Sequence, residues 1–129
     1  HQPRPDDPLG ALAAVGGLEI AAMAGFMLAG AARRVPVVVD GFIAGAAALV
    51  AVRLEPRVRD YLLLSHRSAE RGAGALAAAL ALAPLVDLGL RLGEGTGAIL
   101  AAELVRHAVR LFTGMATFST AGVADRARR

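Results

Sequence analysis

Between Arg91 and Gly97 the chain reads Arg-Leu-Gly-Glu-Gly-Thr-Gly, which sets one carboxylate among three alternating glycines. Glycine takes backbone conformations closed to other residues and lets a ligand approach the main chain. A Glu in such a loop, flanked by apolar residues and opening a helix, is a candidate carboxylate whose burial would raise its pKa. Arg91, three residues earlier, carries a guanidinium suited to holding a phosphate through two parallel hydrogen bonds. The alternative for this segment is a glycine-rich turn in which Glu94 interacts with the helix N-terminus. The Lys of a Walker A loop and the spacing of a dinucleotide fingerprint are both absent.

A second polar cluster, Ser65-His66-Arg67-Ser68, follows an apolar run. Its hydroxyls, ahead of a helix, suit a phosphate or a sugar hydroxyl. It reads equally as a polar turn with Ser68 capping the next helix. His66 has the chemistry of an acid or base, yet a lone His at a strand end is more often structural. Asp40, after a third apolar run, reads best as the N-cap of the helix beginning near Phe42. No second His stands at a metal-ligand spacing, and Ser, His and Asp occur without a nucleophile elbow, so neither a metal site nor a hydrolase triad is supported.

The elements that would position these residues follow a repeated pattern. Residues 9–32 are rich in Ala and Gly and predict close-packed helix, interrupted near Gly16-Gly17 and ending at Arg33-Arg34, where cations meet the negative end of the helix dipole. Val35–Val39 predicts a strand with Pro36 at its start, and the unbroken β-branched run predicts burial on both faces, as in a parallel sheet. Phe42–Val52 returns to helix. Asp60–Ser65 predicts a second strand, Ala73–Leu82 a helix, and Leu85–Leu92 a third apolar segment leading into the glycine loop. Ala98–Met115 is the clearest amphipathic helix, with Leu100, Leu104, Ala108, Leu111, Phe112 and Met115 on one face and Glu103, Arg106 and Arg110 on the other. Strand–loop–helix units with buried strands predict an α/β fold with a parallel sheet, and in such sheets ligands bind beyond the C-terminal ends of the strands. Asp40, Ser65–Ser68, Arg91 and Glu94 all fall at those ends.

Composition narrows the function classes. Of 129 residues none is Cys, which removes disulfides and thiolate chemistry, and every basic residue is Arg, which removes a Schiff-base lysine. The net charge of +3 is modest and the Arg residues are scattered, so the electrostatic footprint of nucleic-acid binding is missing. With 56% hydrophobic residues and a mean hydropathy of +0.54, a small membrane protein is the main competing class. Residues 9–32 are long enough to span a bilayer. Against that, Ala and Gly dominate the stretch, Glu19 sits near its centre and no Trp or Tyr belt flanks it. Residues 1–8 read as a linker or trimmed terminus.

Four ordered motifs carry a specific resemblance. They are Gly16-Gly17-Leu18-Glu19-Ile20-Ala21-Ala22-Met23-Ala24-Gly25; Val35-Pro36-Val37-Val38-Val39-Asp40-Gly41-Phe42; Ser65-His66-Arg67-Ser68-Ala69-Glu70-Arg71-Gly72; and Leu90-Arg91-Leu92-Gly93-Glu94-Gly95-Thr96-Gly97-Ala98. Together the chain resembles the C-terminal part of the nicotinate-nucleotide–dimethylbenzimidazole phosphoribosyltransferases. The resemblance implies transfer of phosphoribose from nicotinate mononucleotide to 5,6-dimethylbenzimidazole in making the lower ligand of cobalamin, with no cofactor. It implies Glu94 as general base, Ser68 and Arg91 as contacts to the phosphoribosyl group, Leu92 as part of the base pocket, and Gly93 beside them in substrate binding.

The implied fold is a Rossmann-like parallel-sheet portion over residues 9–95, followed at 96–129 by the C-terminal helix and tail of a small helical domain. The implied enzyme is a cytoplasmic homodimer that binds neither nucleic acid nor membrane. Family chains are far longer, and their earlier half carries further glycine loops, a second important Glu and a Lys near the phosphate. This chain has no Lys, so the expected site is completed by a missing N-terminal half. A non-catalytic ligand-binding or assembly fragment is the alternative within the same family.

Overall fold

The computed structural model describes residues 1–123. The helix and tail expected over 96–129 therefore extend past the description, and residues 124–129 lie outside it. Helix α1 (Pro8–Val15) starts on Pro8, whose fixed φ suits the first helical position, and the Asp7 carboxylate accepts from the Gly10 N–H at 2.8 Å. Gly16-Gly17 breaks the Ala-rich stretch, as its composition predicts. Helix α2 (Leu18–Ala32) follows, with exposed Glu19 in its first turn and Arg33 at its C-cap. Two helices of 8 and 15 residues replace any continuous span. Among the described residues no helix is long and apolar enough to cross a membrane.

The α/β expectation holds. Strand β1 (Val37–Val39) pairs in parallel with β2 (Leu62–Leu64), with Val37 opposite Leu62 and Val39 opposite Leu64. Helix α3 (Gly41–Leu54) makes the crossover and forms the centre of the core. Its Ala47, Ala48 and Ala51 are wholly inaccessible, letting α2 pack closely on one side and α4 (Ala73–Leu80) on the other. At Gly45 even a methyl group would collide with Leu76 of α4. Ala24 of α2 joins them, and Met27, Val39, Val52, Val58, Leu62, Leu64 and Leu80 complete the buried cluster. Each such side chain contributes about 1.5–3 kcal/mol relative to exposure.

Three sequence expectations are corrected. Asp60-Tyr61 belongs not to the second strand but to a 3-10 turn (Pro56–Tyr61), which Pro56 starts and the Glu55 carboxylate caps through the Arg57 N–H. The third apolar segment forms no continuous strand: one parallel bridge joins Val86 to His66, and single backbone bonds run Leu85 N–H to Leu64 O, Arg67 N–H to Val86 O and Ala69 N–H to Leu90 O. Burial on both faces is incomplete, since Val37 and Val38 are half-buried on the sheet's open edge among the described residues. Helix α5 (Thr96–Gly114) then leaves the body of the fold. Only Gly97 and Ala101 of it are buried, and its apolar face, with Leu104, Phe112 and Met115, is exposed.

Candidate active site

Parallel pairing puts the C-terminal ends of β1 and β2 side by side, so Asp40 and Ser65, the residues immediately after them, become neighbours. The Ser65 N–H continues the ladder to Val39 O at 2.9 Å, and the Ser65 hydroxyl donates to Asp40 Oδ1 at 3.0 Å. The His66 ring then lies with Nε2 3.3 Å from the same Oδ1, nearly fully buried beside a largely buried carboxylate. Asp40 does hold the N-cap position of α3, but its side chain makes no capping bond, contrary to the favoured sequence reading. Gly41, at φ +76°, supplies the sharp turn from strand to helix that leaves the carboxylate turned toward Ser65 and His66. His66 is thus structural in its immediate contacts, as a lone strand-end histidine predicts.

Beyond these ends lies a cavity of about 290 Å³ with Phe42, Ile43, His66, Ser68, Glu70, Arg91 and Gly93 in its walls. The backbone bond from Ala69 to Leu90 O is what brings the Ser68 loop alongside the start of the glycine loop. The Ser68 hydroxyl accepts from the Glu70 N–H at 3.3 Å, which leaves its own proton available to a ligand. It does not cap α4, whose N-cap is Gly72. The wall thus combines one hydroxyl donor and one guanidinium, the groups that bind phosphate, with one carboxylate, Glu70, opposing them electrostatically. A neighbouring cavity of about 260 Å³ shares Gly41, Phe42, His66 and Ser68 and is otherwise largely apolar, with Leu64, Leu76, Ala77 and Pro84.

Three successive residues of the glycine loop take left-handed conformations: Gly93 at φ +76°, Glu94 at +55° and Gly95 at +79°. The two glycines adopt this freely, whereas a residue with a Cβ is strained there by roughly 1–2 kcal/mol. Thr96 N–H closes the turn on Gly93 O at 3.1 Å, and α5 begins at once. Glu94 therefore lies just ahead of the N-terminus of α5. Glu94 is exposed, so the described residues do not supply the burial that the sequence argument invokes for it. Leu92 is likewise 72% exposed. Of the five candidate residues the structure gathers Ser68, Arg91 and Gly93 on one cavity; Glu94 and Leu92 adjoin it in sequence and project outside its described walls. The sequence reading puts Asp40, Ser65 and His66 at strand ends but misses their contact with one another, although the register of two adjacent parallel strands already pairs the first two.

A family model described as Phosphoribosyltransferase matches residues 1–123. The nicotinate-nucleotide–dimethylbenzimidazole phosphoribosyltransferase of Chloroflexus aurantiacus is 56% identical over 126 residues, covering 98% of this chain and 36% of that protein. The enzyme of the same name from Geobacter sulfurreducens is 56% identical over 125 residues, covering 97% and 36%. Among solved structures, the nicotinate-nucleotide–dimethylbenzimidazole phosphoribosyltransferase of Thermus thermophilus superposes with a TM-score of 0.89 at 47% identity, over 96% of this chain and 38% of that one. The chain spans little more than a third of the length of these relatives.

Proposed function

The chain belongs to the nicotinate-nucleotide–dimethylbenzimidazole phosphoribosyltransferase family, and from that premise we propose that it is the C-terminal part of an enzyme moving phosphoribose from nicotinate mononucleotide to 5,6-dimethylbenzimidazole. One benzimidazole nitrogen attacks C1′ of the ribose as the bond from C1′ to the nicotinate nitrogen breaks, with inversion. Nicotinate leaves with that electron pair, and Glu94 takes the proton from the other benzimidazole nitrogen, giving α-ribazole phosphate. Ser68 and Arg91 hold the phosphoribosyl group, Gly93 gives the ligand access to the main chain, and Leu92 lines the base pocket.

The observation that carries this reading is the convergence of Ser68, Arg91 and Gly93 on one cavity beyond the strand ends, with Glu94 the next residue. The strain at Glu94 supports it, because strained backbone conformations concentrate where geometry serves chemistry. The base pocket is completed by the enzyme's N-terminal half, which encloses Glu94 and Leu92, and the enzyme works in the cytoplasm as a homodimer. The test is an assay of the complete enzyme with both substrates, following products by NMR. Equal amounts of nicotinate and the α-anomer of ribazole phosphate are expected. Release of nicotinate without a benzimidazole product, or formation of the β-anomer, would contradict the proposed transfer.

A further inference from the structure

We infer that the buried Asp40–His66 pair is the seat on which the first turn of α5 rests, and that both are positioning residues for the loop carrying Glu94. This role rests on the functional reading above and extends it to two residues to which that reading gives no substrate contact. Its starting point is Gly97. Gly93 and Gly95 have positive φ and open space where a Cβ would be, so conformation alone accounts for them. Gly97 has no positive φ, and it is buried in the first turn of α5. What it lacks is room: a Cβ there would run into His66 Cδ2 and Asp40 Oδ1, with His66 Nε2 at 2.9 Å. The helix main chain is thus laid directly on the carboxylate–imidazole pair.

The pair is held from below. Asp40 Oδ1 receives the Ser65 hydroxyl at 3.0 Å and faces His66 Nε2 at 3.3 Å. Each partner comes from the end of a different strand, so the seat inherits the rigidity of the sheet. Asp40 Oδ2 and His66 Nδ1 are buried without hydrogen-bond partners among the described residues. Buried polar groups left in that state are costly, and an apolar pair of the same volume would cement the strand ends at no such cost. A polar pair under the loop instead fixes one orientation of imidazole against one turn of helix. From Gly97 the constraint reaches Glu94 in three residues, through a turn already closed by the bond from Thr96 to Gly93.

The test compares Asp40→Asn, His66→Ala and Gly97→Ala with the unaltered enzyme, all as the complete protein. Steady-state kinetics are measured beside amide hydrogen exchange over Gly93–Gly97, with α2 and α3 as internal references. Ser68 and Arg91 are untouched, so KM for nicotinate mononucleotide stays within about threefold while kcat falls about tenfold or more, as misplacement of a reacting group requires. Exchange over the loop accelerates about tenfold while α2 and α3 keep their protection. Asp40→Asn preserves shape and an acceptor for Ser65 while removing the charge and exchanging the unpartnered Oδ2 acceptor for an N–H donor. Gly97→Ala keeps both residues of the pair but sets a methyl group against them, which pushes the helix turn off its seat, and it decides the matter if His66→Ala does not fold. Loop exchange unchanged in the folded variants, or accelerated equally throughout the chain, overturns the inference. An unaltered enzyme that performs no transfer overturns the functional reading instead, and the exchange measurement still decides whether the pair seats the loop.

Discussion

Arg91 and Ser68 reach one cavity from segments more than twenty positions apart in the chain, joined by the backbone bond between Ala69 and Leu90. Both residue types advertise anion binding, and their positions after apolar runs put them at predicted strand ends from sequence alone. Asp40 was harder to read, because an Asp before a helix is ordinarily a cap and only the strand pairing reveals Ser65 and His66 beside it. Glu94 was legible as an unusual residue among glycines; its left-handed conformation and its exposure were not. If Arg91 anchors the phosphate, Arg91→Ala in the complete enzyme raises KM for nicotinate mononucleotide with little change in kcat. The loss of one charge-assisted contact corresponds to ~1.5–3 kcal/mol, or roughly ten- to 150-fold. An unchanged KM in steady-state assays would place the anchor elsewhere.

At the scale of elements, the helices were the most legible features, because glycine breaks, Pro positions and apolar periodicity mark their ends locally. The third apolar segment was not, since its partner lies some twenty residues away and only one bridge to His66 forms. The Asp60-Tyr61 boundary was misplaced because the preceding turn is set by Glu55. That carboxylate accepts from the Arg57 main chain at 3.1 Å and from its guanidinium at 2.9 and 2.8 Å, and these bonds hold its pKa down to about 2 from the usual 4.5. A folded-state pKa below the unfolded value stabilises the fold above the unfolded value, and that stabilisation is lost as pH falls through the folded one. The turn's ionic contribution is therefore complete at neutral pH and disappears between 4.5 and about 2. Melting temperatures of the unaltered protein and Glu55→Gln should differ at neutral pH and converge across that window. A difference independent of pH would show that the ion pair contributes nothing.

For the molecule as a whole, the α/β class and the ordered motifs were evident in the sequence, while the shape of the body was not. An amphipathic pattern states that α5 has an apolar face; it does not state what meets that face, and Leu104, Phe112 and Met115 remain exposed. The same holds for Glu94, whose surroundings in the proposed enzyme come from outside this chain, as they do for Leu92. The central claim is that this exposed carboxylate takes the benzimidazole proton, and Glu94→Gln in the complete enzyme isolates it, keeping size and hydrogen bonding while removing basicity. Loss of a general base slows turnover by about 10²–10⁴. The measurement is kcat for α-ribazole phosphate formation beside the dissociation constant for dimethylbenzimidazole. Retained binding with turnover at least ~100-fold slower is the predicted result. Near-normal turnover would contradict it, leaving Glu94 a structural residue of the loop and the base on another side chain.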